Sequence, residues 1–230
     1  MCFSATASFS AGAVLLGLGV LTLRTALVSH QRRDVPFAAI PLLFAIQQLI
    51  EGVIWLTFSD DSPLLNWVMT HAYSFFSHVL WPVYVPVAVV LMEPKGWRRG
   101  ALWVLVAAGA AVAAGLLLVL MLFPVVARPT GQHIEYVSPH FFAAVTMTLY
   151  LLSTGASPLL STHRMVVVFG ALALLAFGAA YAFYATWFIS VWCFFAALLS
   201  AVIYRHFTWT QRDKRTPVRA DTQPAPQRST

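Results

Sequence analysis

The sequence predicts an all-α membrane protein: a bundle of seven transmembrane helices with the N-terminus outside and the C-terminus in the cytoplasm. Three observations carry this. Of the 230 residues, 60% are hydrophobic and 10% charged, with a mean hydropathy of +0.77, well above the roughly 45–50% apolar content of a soluble domain. Seven continuous apolar runs approach the ~20 residues that a helix needs to cross a bilayer. Of the 14 Lys and Arg, all except Arg128 fall on one side of those runs, and the positive side is the cytoplasmic one.

The runs follow in order. Phe9 to Leu27 has no positive residue before it and Arg24 near its end, the reverse of a secretory signal, so it is expected to stay as a helix. Pro36 to Phe58, Trp67 to Met92 and Ala101 to Val126 come next, then His140 to Thr162, Met165 to Tyr184 and Thr186 to Tyr204. A β-barrel would instead show alternating segments of ~10 residues. Residues 1–207 form one membrane domain, and 208–230, rich in Pro, Gln, Thr and basic residues, are expected to form a disordered basic cytoplasmic tail, too polar to fold on a core. The address this implies is the inner membrane of a bacterium. Membrane lipids are the expected partners. Nucleic acid is not, because the net charge of +6 is spread over loops and tail and not gathered in a patch.

Small residues four apart (Ala13 and Gly17; Ala107, Ala111 and Gly115; Gly178 and Ala182) mark faces where helices are expected to approach closely. Pro82 and Pro86 in the third run, and Gly155 with Pro158 in the fifth, are expected to bend those helices.

An ionisable side chain near the bilayer centre costs at least ~2.5–3.5 kcal/mol. Glu51, His71 and His78 are the ones well inside the runs; Arg24, His163 and His206 sit at run ends, where long or polar side chains reach water. Gln47, Glu51 and Trp55 are spaced by four and share a face, with Gln48 adjacent. His71 and His78 are seven apart, about 20° short of two turns, so both are expected on one face with Ser74 between them. Glu51 and His71 come out nearly level in depth, and His78 deeper.

Cys2, Glu51, His71, His133, Glu135 and His140 all fall toward the outer side. Carboxylate, imidazole and thiolate are ligands for zinc or another transition metal, so Glu51, His71, His140 and Cys2 form the candidate metal set. Glu51, His71 and His78 are the candidate catalytic groups, supported by Gln47, Gln48 and Ser74. No pair has a diagnostic spacing.

The opening Met1-Cys-Phe-Ser-Ala-Thr-Ala-Ser-Phe9, with Pro41-Leu-Leu-Phe-Ala-Ile-Gln-Gln-Leu-Ile-Glu-Gly-Val-Ile-Trp55, resembles an uncharacterised family of bacterial membrane proteins. That likeness is clearest over the first three runs and implies no activity. The seven runs and intramembrane histidines also resemble the membrane hydrolases that include alkaline ceramidases and adiponectin receptors. This second likeness implies a zinc-activated water attacking a lipid amide or ester. The last run lacks the His-x-x-x-His of those enzymes, so no catalytic residue is carried over.

Three functions are therefore expected to compete. The first is a metal-dependent enzyme, a hydrolase of a lipid or small hydrophobic substrate at an outward-opening polar site. The second is a proton-linked carrier or sensor of small molecules, which would use Glu51 with His71 or His78 and do no chemistry. The third and least supported is a haem carrier, for which His71 with His140 is the one pair of axial ligands at comparable depth.

Overall fold

The computed structural model describes residues 4–28, 32–60, 62–131, 133–138, 143–183 and 199–215. Most of these are helical. Four helices are long and apolar enough to cross a membrane: α1 (Ala5–Val28), α2 (Arg32–Ser59), α3 (Pro63–Met92) and α4 (Trp97–Leu122). After a two-stranded hairpin comes α5, which runs from Ala143–Leu151 through Leu152–Ala156 to Ser157–Leu159. Helix α6 (Arg164–Phe183) and helix α7 (Ser200–Arg215) complete the described chain. The predicted seventh run lies mostly outside the described residues. Helix α7 continues past Tyr204 to Arg215, so the first part of the basic tail is helical.

The first two helices pack lengthwise. The buried stripe of α1 is Ser8, Gly12, Leu15, Gly19, Thr22 and Ala26, a three-and-four spacing that keeps one seam turned toward a partner. A Cβ on Gly19 would lie 2.7 Å from the Leu42 backbone nitrogen, so this crossing requires glycine. The small-residue faces expected from spacing are a correction: Ala13, Gly17, Ala107, Ala111, Gly115, Gly178 and Ala182 are all exposed. In helices this rich in Ala and Gly, several faces satisfy the four-residue spacing, and spacing alone does not choose among them.

Helix α3 is not uniform. Its residues Phe75–Leu80 form a π turn, and residues Leu152–Ala156 of α5 form another. A π turn accommodates one extra residue and frees backbone groups from the regular ladder. The carbonyl of Ser77 is taken up from outside, by the Tyr150 hydroxyl at 2.6 Å. Just beyond it, Pro86 has no N–H to offer the Pro82 carbonyl one turn back. There α4 packs against the α3 backbone at Gly109.

The segment read as a polar outer loop is in fact an antiparallel hairpin, β1 (Val126–Thr130) with β2 (His133–Val137). Gly131 has φ +62° at the turn, a conformation that glycine adopts without strain. Ala127 opposite Tyr136, and Pro129 opposite Ile134, lie on one face. Because the strand starts at Val126, the fourth spanning helix occupies Trp97–Leu122 instead of the expected Ala101–Val126.

Candidate functional site

Two apolar clusters are packed inside the bundle. The larger includes Phe44, Ala45, Trp81, Val85 and Leu102; the smaller holds Ile54, Tyr73, Ala127, Ile134 and Tyr136, with Ile50, Trp55, Phe58 and Met69 against them. Along α2, the residues between the two are Gln47 and Gln48, with Glu51 beside Ile50. Along α3 they are Ser74, Ser77 and His78. A polar layer therefore crosses the bundle between two apolar cores, and the π turn of α3 lies in it. Tyr150 of α5 ties that helix to the layer through Ser77.

Glu51, Gln47 and Gln48 have no exposed surface at all, so the face predicted from their spacing looks into protein. Gln48 Nε2 donates to Glu51 Oε2 at 3.3 Å. Trp81 Nε1 donates to Gln47 Oε1 at 2.8 Å, and the Trp81 ring stacks on Phe44 with centroids 4.1 Å apart. This holds the Gln47 carbonyl toward α3. Ser74 is buried, and its Oγ has no hydrogen-bond partner among the described residues.

The histidines depart from expectation. His71 is not joined to Glu51: its Nδ1 donates to the Trp67 carbonyl at 2.8 Å, and its ring lies against Trp67 at 4.2 Å. The depth is close to the prediction, since Asn66 bonds Thr57 across the two antiparallel helices. The direction is not. Thr70, Tyr73 and Ser74 are the buried positions, and His71 stands about 100° round the helix from Thr70. Between His71 and His78 the helix passes into the π turn Phe75–Leu80, so seven residues there no longer correspond to two α-helical turns. His78 Nδ1 lies 2.7 Å from Ser77 Oγ and 3.1 Å from the Ser74 carbonyl, within the polar layer.

Cys2 and His140 lie outside the described residues. Among the described ones, no group of three or more His, Cys, Asp or Glu could hold a metal ion. His133 is buried at the hairpin turn, and burial holds it below the ordinary histidine range. Glu135 receives a long hydrogen bond from Thr130 Oγ1, at 3.5 Å.

The model of a family of unknown function, DUF6629, matches residues 1–222. The chain belongs to that family. Membership extends over nearly the whole chain and not only its first three helices, where the resemblance was clearest. No curated protein and no solved structure matches it, so the likeness to ceramidase-type hydrolases gains no support.

One buried polar group in this DUF6629 member escaped the sequence reading. Glu93, 1% exposed, ends α3 and accepts from Thr162 N at 3.0 Å, Ser161 Oγ at 3.2 Å and Thr162 Oγ1 at 3.3 Å. Arg98 donates to the Leu160 and Ser161 carbonyls at 3.4 and 3.3 Å. His163 Nε2 donates to the Met92 carbonyl at 3.4 Å, and its ring meets that of His206 at 5.9 Å. His163 and His206 are thus half-buried at their run ends and in contact with one another. The available signal was an acidic residue in the Glu93-Pro-Lys95 corner, one position past the end of an apolar run, where carboxylates usually meet solvent.

His206 also lies against Phe37 and Phe207. Burial, with the neighbouring His163 charge second, pushes its pKa from 6.5 down to about 4. The unfolded chain therefore takes up this proton below about pH 6.5 while the folded chain does not until about pH 4, and stability falls as pH drops through that window. The whole shift is worth at most about 3–4 kcal/mol. His206→Phe should remove this slope: melting temperatures of the two proteins in detergent should diverge in the variant's favour from pH 7 to pH 4.5. Parallel curves would refute the assignment.

Proposed function

We propose that this protein is a proton-linked carrier or sensor of small molecules, with Glu51 as the group that takes and gives the proton. The observation that carries this reading is the complete burial of Glu51 within a polar layer between two apolar cores. Holding a carboxylate there is unfavourable unless it is neutralised or hydrogen-bonded. Gln48 supplies one hydrogen bond, and a group poised in this way changes its charge when its access to water changes. The π turns in α3 and α5, at the layer itself, are features often found where helices rearrange or bind.

The same proposal includes seven spans, an outside N-terminus and a place in the cytoplasmic membrane of a bacterium. Four long apolar helices and a shorter apolar stretch, Arg164–Ala180, support it, as does the charge asymmetry of the loops. A metal-dependent hydrolase would need Cys2 and His140 brought to Glu51, and with His71 bonded to its own helix no observation favours that reading over the first.

Infrared difference spectra between acid and neutral pH, taken on reconstituted protein, test the proposal. They should contain a protonated-carboxyl band that disappears in Glu51→Gln. Proton flux into proteoliposomes, or the pH-dependent conformational signal of a sensor, should be lost in the same variant. Spectra and pH responses identical in wild type and Glu51→Gln would overturn the reading.

A further inference from the structure

We infer that the hairpin of β1 and β2 is the outer gate of the polar layer, latched by Tyr136 on Tyr73. This rests on the reading of Glu51 as the functional group and adds how access to it is controlled. The rings of Tyr73 and Tyr136 are stacked with centroids 4.5 Å apart and planes 5° from parallel. Around them the hairpin's inward residues, Ala127 and Ile134, pack with Ile54 of α2. Ile54 stands one turn from Glu51, and Tyr73 directly precedes the buried Ser74. The hairpin therefore covers the polar layer from the end of the bundle where α2 turns into α3.

Its attachment is separable from the rest of the fold. The cluster that holds it is distinct from the main core, so undocking the hairpin does not break the packing of Phe44, Trp81 and Val85. A two-stranded ribbon of five paired positions has little stability of its own and stays closed because of the surface it is docked on. Elements held by a small satellite cluster open locally, well before the whole molecule unfolds. Undocking exposes the side of the layer that holds Ser74, while the inner core keeps the opposite side sealed. That asymmetry is what a gate requires.

The test uses Ser74→Cys in purified detergent-solubilised protein and a charged, water-soluble thiol reagent, with unsubstituted protein as the background for Cys2 and Cys193. Labelling of Ser74→Cys should be slow. Adding Tyr136→Ala, which removes the stack, should speed it at least about tenfold, whereas Tyr136→Phe, which keeps the ring, should leave it unchanged. Equal rates in the Tyr136→Ala and parent proteins would overturn the gate. Hydrogen exchange on unmodified protein gives an independent reading that needs no folded variant. Amides of Val126–Thr130 and His133–Val137 should exchange together and well ahead of those around Glu51; exchange of both sets at one common rate would equally overturn it. Both readouts report hairpin opening whether or not Glu51 titrates. A failed gate thus leaves the carboxyl band of Glu51 untouched, and a missing carboxyl band leaves the labelling rates untouched.

Discussion

Gly109→Ala should destabilise the protein by about 2–3 kcal/mol or more, although alanine is the better helix former by about 1 kcal/mol. The reason is a crossing with no slack. A Cβ at this position would overlap the Pro82 carbonyl oxygen, and would lie 2.8 Å from the Pro82 carbonyl carbon and 3.1 Å from Ser153 Cβ. Backbone is on one side and a second helix on the other, so no flexible side chain can swing away. Pro86 leaves the Pro82 oxygen without its usual intrahelical donor, and glycine lets the α4 backbone close over it, where a Cα–H can offer weak compensation. Gly115→Ala on the same helix provides the control, since nothing lies within 4 Å of its would-be Cβ. That variant should be neutral or slightly more stable. Thermal unfolding of both in detergent should separate them with opposite signs; a Gly109→Ala protein as stable as the parent would mean that α3 and α4 do not cross here.

How much of this was written in the sequence depends on the kind of signal. The four helices long and apolar enough to cross a membrane were legible because such a crossing demands continuous apolar length. The buried orientation of Glu51 and Gln47 was legible because α2 keeps a regular period through them. The same arithmetic does not carry from His71 to His78, because α3 passes into a π turn between them. It assumes an uninterrupted helix, and no residue between Phe75 and Leu80 announces a π turn, whose Ser77 carbonyl accepts from the distant Tyr150. Depth survived better than direction: His71 lies near the level of Glu51, on the wrong side of its helix. The hairpin carried a signal of its own, a period of two in Ile134 and Tyr136 beyond Gly131. It was masked by a hydropathy run that swept up Val126. The stack between Tyr73 and Tyr136 joins residues far apart in the chain, and no local pattern pairs them.

Glu93 illustrates the remaining blind spot, and its replacement should have the largest effect at the end of the bundle where α3 meets the start of α6. Glu93→Leu is expected to cost about 3 kcal/mol, because it removes the acceptor shared by the Thr162 N–H and the hydroxyls of Ser161 and Thr162, of which the buried Ser161 hydroxyl is left stranded while the exposed Thr162 turns to water; hydrogen bonds to a charged group contribute about 1.5–3 kcal/mol each and do not add fully. The carboxylate also sits beside the start of α6, where negative charge favours the helix dipole. Glu93→Gln keeps the volume and one acceptor but turns an amide N–H₂ toward donors, so an intermediate loss of about 2 kcal/mol is expected. Arg98→Met, which removes the two long bonds to the Leu160 and Ser161 carbonyls and the cation–π contact with Trp97, should cost less, about 1 kcal/mol. Denaturation midpoints in detergent give the order directly, and limited proteolysis between α5 and α6 should report the same order, as the loop loses its anchor before the helices separate. If Glu93→Leu were no worse than Arg98→Met, the carboxylate would not be the group that fastens α6 to the end of α3.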